Sequence, residues 1–155
     1  SVVENMKLFS GLYGLKNKQA QERIDWALSV FELSPFIGQR ALDLPLGYKQ
    51  RLAMACALLH QPEMLFLDEP TSGVDPLARR EFWRRINALA EQGVTILVTT
   101  HFMEEAEYCD RLVIMQAGAI LASGTPEALR HHARTTDNPT PSLEDAFIRL
   151  IETTG

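Results

Sequence analysis

The sequence predicts an α/β fold in which a short parallel sheet is flanked by amphipathic helices. Three observations carry this. Apolar residues recur at helical spacing through the first third of the chain. The period then changes at Met64-Leu65-Phe66-Leu67, a continuous apolar run ended by charge, as a parallel strand buried on both faces would read. Finally, Asp75-Pro76 opens a helix and Val94 to Val98 forms a second, β-branched run, completing the strand–helix–strand order of a right-handed parallel crossover.

Each element has its own warrant. Val2 to Tyr13 carries Val3, Met6, Phe9 and Leu12 on one drifting face, and Gly14 closes it. Asn17 is placed to cap a second helix with Ala20, Ile24, Leu28 and Phe31 inward, ending before Ser34-Pro35. A third helix begins near Leu46, carries Leu52, Cys56 and Leu59, and stops at Gln61-Pro62. Asp75 caps the crossover helix and Pro76 fills its first position; Phe82, Ile86, Leu89 and Ala90 face inward, and Gly93 ends it. Arg111 to Met115 and Ala119 to Ala122 read as two strands joined at Ala117-Gly118, and Thr125-Pro126 opens another short helix. His131 to Pro141 is the least ordered stretch, its adjacent histidines a solvated pair. Ser142 and Asp145 then cap a last helix with Leu143, Ala146, Phe147, Leu150 and Ile151 on one face, expected to dock on its own domain. The acidic run Glu104, Glu105, Glu107 and Asp110 is expected to be a wet face of a short helix.

Composition narrows the function classes. At 155 residues, 46% apolar and 23% charged, one domain can bury roughly 70% of its unfolded surface. The net charge of −5, with no basic stripe, lowers the expectation of a nucleic-acid partner. Cys56 and Cys109 form neither a disulfide framework nor a zinc pattern, which points to a reducing compartment. The longest apolar run, Leu52 to Leu59, falls far short of the ~20 residues of a spanning helix. The expectation is a soluble chain that meets a membrane only through a partner.

The chemistry gathers between residues 44 and 101. Asp68 and Glu69 end the first strand, where open α/β sheets place ligands. One carboxylate can hold a magnesium ion and the other polarise an attacking water. Pro70-Thr71-Ser72-Gly73-Val74-Asp75 follows as a turn and cap. His101 stands just past the second strand, within reach of a phosphate oxygen. Leu44-Pro45-Leu46-Gly47-Tyr48 opens the third helix, whose N-terminal amides and dipole suit a phosphate. Alone, these are an acidic loop, a capping turn, a solvated histidine and a helix start. Their joint order is what carries information.

In that order they resemble the C-terminal half of the ATP-binding-cassette ATPases. Leu44 to Arg51 is similar to the family's signature motif, Met64 to Glu69 to its Walker B strand, Ser72 to Asp75 to its D-loop, and His101 to its switch histidine. The wording is closest to multidrug-type exporters, including those with two fused cassettes. The resemblance implies a P-loop NTPase fragment: a helical subdomain over 1–62, part of the sheet core over 63–133, and a linker with an amphipathic helix over 134–155. It implies ATP and Mg2+ as cofactors, with Asp68 on the metal, Glu69 as base and His101 on the γ-phosphate. Asp75 would communicate across a cassette dimer. Pro45, Leu46, Gly47 and Tyr48 would press on nucleotide held by the opposite cassette. Residues 1 to 43 would face a transmembrane transporter domain, which places the chain at the cytoplasmic face of a membrane.

Two departures qualify this. No phosphate loop of the form G-x-x-x-x-G-K-[ST] occurs in the sequence, so a fragment lacking that loop and its strand is expected to be inactive alone. Without that strand, the Val94 to Val98 strand is expected to expose an unpaired edge through which the fragment self-associates. The signature is also altered: Pro45 has neither a hydroxyl nor an N–H, and Tyr48 stands where the family has glutamine. A slow or degenerate composite site, asymmetric with its pair, is the consequence. The alternatives are a ribosome-associated or translation-factor ATPase, a chromosome or repair ATPase, and a module that has lost catalysis. The first would add basic insertions and the second long heptads, neither of which is present. The third is opposed by Glu69 and His101.

Overall fold

The computed structural model describes residues 1–154, in two compact units, Ser1–Thr99 and a second beginning at Thr100. The first unit opens with α1 (Val2–Leu12), where Ser1 and Glu4 form a reciprocal capping box. Its buried line is Val2, Met6 and Ser10, not the three-residue series expected, and Leu12 is exposed. Residues four apart drift less around a helix than residues three apart, so α1 lays a straighter i, i+4 ridge against its neighbours, α2 (Asn17–Val30) and α3 (Leu46–Ala57).

Asn17 does not cap α2. Lys16 occupies the cap position without a side-chain bond, and Asn17 takes a left-handed backbone (φ +50°) that asparagine tolerates. The inward face is otherwise as read, with Ile24, Leu28 and Phe31 buried. Two 3₁₀ turns, Ser34–Phe36 and Ala41–Asp43, lead into α3. The far end of α3 is closed from outside: Arg23 of α2 donates to the carbonyls of Leu58 and Leu59, each at 3.0 Å, where helix carbonyls run out of intrahelical donors. The same guanidinium lies 3.9 Å from the centre of the Trp26 ring.

The crossover follows as β1 (Met64–Asp68), α4 (Pro76–Glu91) and β2 (Thr95–Thr99). The strands are parallel and in register from Met64 opposite Thr95 to Asp68 opposite Thr99. Asp75 caps α4 by accepting from the amides of Leu77 and Ala78, both at 3.0 Å, and Gly93 ends the segment at φ +93°. Phe82, Trp83, Ile86 and Leu89 are buried, whereas Ala90 is exposed. The expected burial of both strand faces does not hold. Leu65 is 5% exposed, but Phe66 on the opposite face is 68% and its neighbour Leu97 55%. Helices cover one face of this two-stranded sheet, and among the described residues nothing covers Phe66 and Leu97.

The second unit comprises α5 (Met103–Ala106), β3 (Leu112–Gln116), β4 (Ala119–Gly124), α6 (Pro126–Arg130), a 3₁₀ turn at His131–Ala133 and α7 (Leu143–Thr154). β3 and β4 form an antiparallel hairpin whose turn residues, Ala117 and Gly118, both have positive φ, and a bulge at Leu121 shifts the register. Ser142 and Asp145 cap α7 reciprocally, and those bonds hold the Asp145 carboxyl below its ordinary value. Leu143 and Leu150 close over Ala106, Ile114 and Leu129, so α7 docks on its own unit as expected. The acidic run is not a uniformly wet face. Glu105 is fully buried, with the Thr100 hydroxyl donating to it at 2.8 Å, and Glu107 pairs with Arg130 at 2.7 Å.

Two substitutions separate the faces of the first unit. Leu59→Ala empties a fully buried site and is expected to cost about 2–5 kcal/mol. Phe66→Thr on the open strand face is expected to stay within about 0.5 kcal/mol. Urea unfolding midpoints at constant m-value check both.

Candidate functional site

The parallel register sets the geometry of the acid pair, because Thr99 of β2 lies directly beside Asp68 of β1. The Thr99 hydroxyl donates to Oδ1 of Asp68. The next amide, that of Glu69, donates to the Thr99 carbonyl at 3.0 Å and reaches its hydroxyl oxygen at 3.2 Å. Glu69 itself has φ +42°, a left-handed conformation that costs a non-glycine residue about 1–2 kcal/mol. The chain turns there, with the Ser72 amide donating to the Glu69 carbonyl at 3.1 Å and Gly73 supplying a second positive φ (+72°). Asp68 therefore leaves from a strand and Glu69 from a turn. Thr71, in the same turn, is buried.

The residues of the altered signature pack on that turn. Pro45 is the N-cap of α3, its carbonyl accepting from the amides of Tyr48 and Lys49 at 2.9 and 3.0 Å. Leu46 and Gly47 form the first turn, where amides lack intrahelical acceptors. A Cβ on Gly73 would sit 3.3 Å from Cδ2 of Leu46, and one on Gly47 would sit 3.7 Å from Cβ of Ala78. The side-chain amide Nε2 of Gln50 donates to the Ser72 carbonyl at 3.5 Å. The start of α3, the 70–75 loop and the start of α4 are thus in contact, bringing Leu46 and Gly47 close to the segment between Glu69 and Asp75.

Tyr48 turns toward the helices. Its ring centre is 4.5 Å from that of Phe36, and the Arg51 guanidinium lies 4.9 Å from it. Arg51 also pairs with Glu32 and, at 3.5 Å, with Glu81, while Arg85 reaches the same two carboxylates at 3.1 and 3.9 Å. Two arginines and two glutamates so brace α3 between the end of α2 and the face of α4. The hydrogen bond from Arg51, aided by the charge of Arg85, holds the Glu32 carboxyl below its usual value.

His101 belongs to the second unit, its ring centre 4.0 Å from that of Phe102. Its turn is organised by Thr100, whose hydroxyl accepts from the Phe102 amide at 3.1 Å and donates to buried Glu105. Asp68, Glu69, Asp75 and the signature residues lie together in the first unit; His101 begins the second. Thr99 and Thr100 escaped the sequence reading as functional residues, and Glu105 was read as part of a wet face although it is buried. Nothing local in the sequence marked Thr99, whose place opposite Asp68 follows from the register of the two strands.

A family model described as "AAA domain, putative AbiEii toxin, Type IV TA system" matches residues 37–105, the segment that holds every candidate site residue. The chain is 52% identical over 151 residues to the "Probable multidrug ABC transporter ATP-binding protein YbhF" of Escherichia coli (strain K12), covering 97% of this chain and 26% of that protein. It is 42% identical over 130 residues to the "Nod factor export ATP-binding protein I" of Cupriavidus metallidurans, covering 83% of this chain and 43% of that one. A solved "ATP binding subunit of ABC transporter" superposes with a TM-score of 0.80 at 30% identity, over 97% of this chain and 62% of its own. The chain is homologous to the ATP-binding subunits of ABC transporters. Its fold is a partial domain of that P-loop NTPase class, and it spans roughly a quarter to under a half of the curated relatives named.

The donor set of this cassette segment fits a magnesium ion of a particular kind. Among the described residues no three His, Cys, Asp or Glu side chains converge on a metal-binding point. Asp68 offers one carboxylate, already fixed through Oδ1. Magnesium is commonly bound through one or two carboxylates with the remaining positions filled by phosphates and water, so the site suits an ion delivered with a nucleotide.

The brace around Arg51 carries a pH signature. A lowered folded-state pKa means that the Glu32 pairing contributes stability above the ordinary carboxylate value of 4.5 and loses it as the pH falls below. Glu32 is more than half exposed, so the contribution is small. Glu32→Gln is expected to lower the urea midpoint slightly at pH 7 and to leave it unchanged near pH 3, which parallel titrations of the two proteins check.

Proposed function

We propose that the complete protein is the ATP-binding and ATP-hydrolysing subunit of an exporter, working as a pair of cassettes against a transmembrane domain at the cytoplasmic face of a membrane. What supports the reading is the pair Asp68 and Glu69 at the carboxyl end of a parallel strand, with the signature turn packed beside it. Of the two named relatives, one is described as a multidrug ABC transporter protein and the other as a Nod factor export protein, and the second gives the reading its direction.

In this reading ATP supplies the phosphoryl group and Mg2+ neutralises charge on its oxygens. Asp68 holds the ion. Glu69, on its left-handed turn, accepts a proton from the attacking water, and His101 donates to the γ-phosphate. The first turn Pro45-Leu46-Gly47-Tyr48 faces nucleotide bound to the opposite cassette through the amides of Leu46 and Gly47, proline having no donor and the Tyr48 amide being taken by the Pro45 carbonyl, and Asp75 meets that cassette's loop. With the Tyr48 ring engaged by Phe36 and Arg51, its part is to set the helix rather than to reach a ligand. The composite site built on this signature is then the slower of two.

Residues 1–62 act as a helical subdomain whose first 43 residues face the transporter, 63–133 as core, and 134–155 as linker and closing helix. The segment alone does not hydrolyse ATP, because its sequence holds no phosphate loop. Its β2 edge pairs with another chain when no further strand is supplied. No nucleic-acid partner is invoked, and no helix among the described residues is long and apolar enough to cross a membrane.

In the full-length protein, Glu69→Gln is expected to lower turnover by about 10²–10⁴-fold while leaving nucleotide affinity close to native. Steady-state phosphate release paired with equilibrium nucleotide binding reads both quantities. Undiminished turnover would remove Glu69 from the base role.

A further inference from the structure

We infer that Thr99 is a positioning residue for the cation site, orienting the Asp68 carboxylate and holding the Glu69 backbone in its turn. The inference rests on the functional reading just given and adds a residue from the neighbouring strand to it. The Asp68 carboxylate stands at the exposed end of β1, and the terminal torsion of aspartate is soft, so the strand alone does not fix where its oxygens point. The Thr99 hydroxyl fixes it. By donating to Oδ1 it makes a charge-assisted bond, stronger than a neutral one, and commits that oxygen to the protein. Oδ2 is then the oxygen presented to an incoming cation.

The same hydroxyl oxygen lies 3.2 Å from the Glu69 amide nitrogen, and the Thr99 carbonyl accepts from that amide at 3.0 Å. One residue of β2 therefore engages both members of the acid pair, one through its side chain and one through its backbone. The left-handed turn at Glu69 needs such an anchor, because its φ of +42° is unfavourable for a residue with a Cβ. Thr99 is itself exposed, so its hydroxyl is not there to satisfy a buried core position. Partners that orient a metal-binding carboxylate commonly change metal affinity by 10–100-fold when removed.

The test uses the full-length protein with a non-hydrolysable ATP analogue and Mn2+ as the probe, titrated by electron paramagnetic resonance. Thr99→Val keeps the side-chain shape and deletes the hydroxyl; Thr99→Ser keeps the hydroxyl and deletes the methyl. The expected result is Mn2+ binding weakened about 10–100-fold by Thr99→Val and close to native in Thr99→Ser. In parallel, the Mg2+ concentration for half-maximal ATPase activity rises in Thr99→Val, while kcat at saturating Mg2+ falls much less. Native Mn2+ affinity in Thr99→Val would overturn the inference. So would a loss in Thr99→Ser as large as in Thr99→Val, which marks a packing role for the methyl. A native protein that binds no Mn2+ with the analogue would overturn the functional reading, and this inference with it.

Discussion

The parallel pairing of β1 and β2 is the constraint from which the remaining geometry follows. Parallel neighbours cannot be joined by a tight turn, so the chain must leave the sheet, build a helix and return. That requirement explains the cap at Asp75, the proline after it and the glycine that ends α4. The register it sets decides which residue of β2 stands beside Asp68. It also places the turn at Glu69 where β2 can hold its amide.

The helices around this pair are held chiefly by burial. Phe31, Leu33, Leu59 and Trp83 are almost completely enclosed, and each side chain of that size contributes about 1.5–3 kcal/mol. The arginine–glutamate brace between α2, α3 and α4 is exposed on one side, and pairs of that kind contribute about 0.2–1 kcal/mol. Its importance is directional. Arg51 simultaneously meets Glu32, Glu81 and the Tyr48 ring, so it fixes the rotation of α3 about its own axis and hence which residues of its first turn look outward.

Much of this was legible in the residues. Asp75-Pro76, Thr125-Pro126 and Ser142 with Asp145 are local signals that depend on two or three neighbouring groups, and the structure uses them as caps. The crossover and the hairpin turn at Ala117-Gly118 were legible for the same reason. Burial was harder to read, because it depends on what the chain packs against. The apolar run 64–67 carries no record of which side a helix covers, and Phe66 proved to be open. A charged letter likewise says nothing of an enclosed partner, which is why Glu105 read as wet although Thr100 meets it in the interior. At the site, the acid pair was plain, whereas Thr99 required a strand register that no local pattern spells out.

The fit of Leu46 against Gly73 has a mechanical consequence. No side chain separates the loop from the helix start at that point, and a Cβ there would already press on the leucine. The Gln50 side-chain amide also reaches the Ser72 carbonyl from the same helix. Any residue larger than glycine at position 73 therefore displaces either the leucine or the loop, so the close approach of the helix start to the acidic turn depends on the missing side chain.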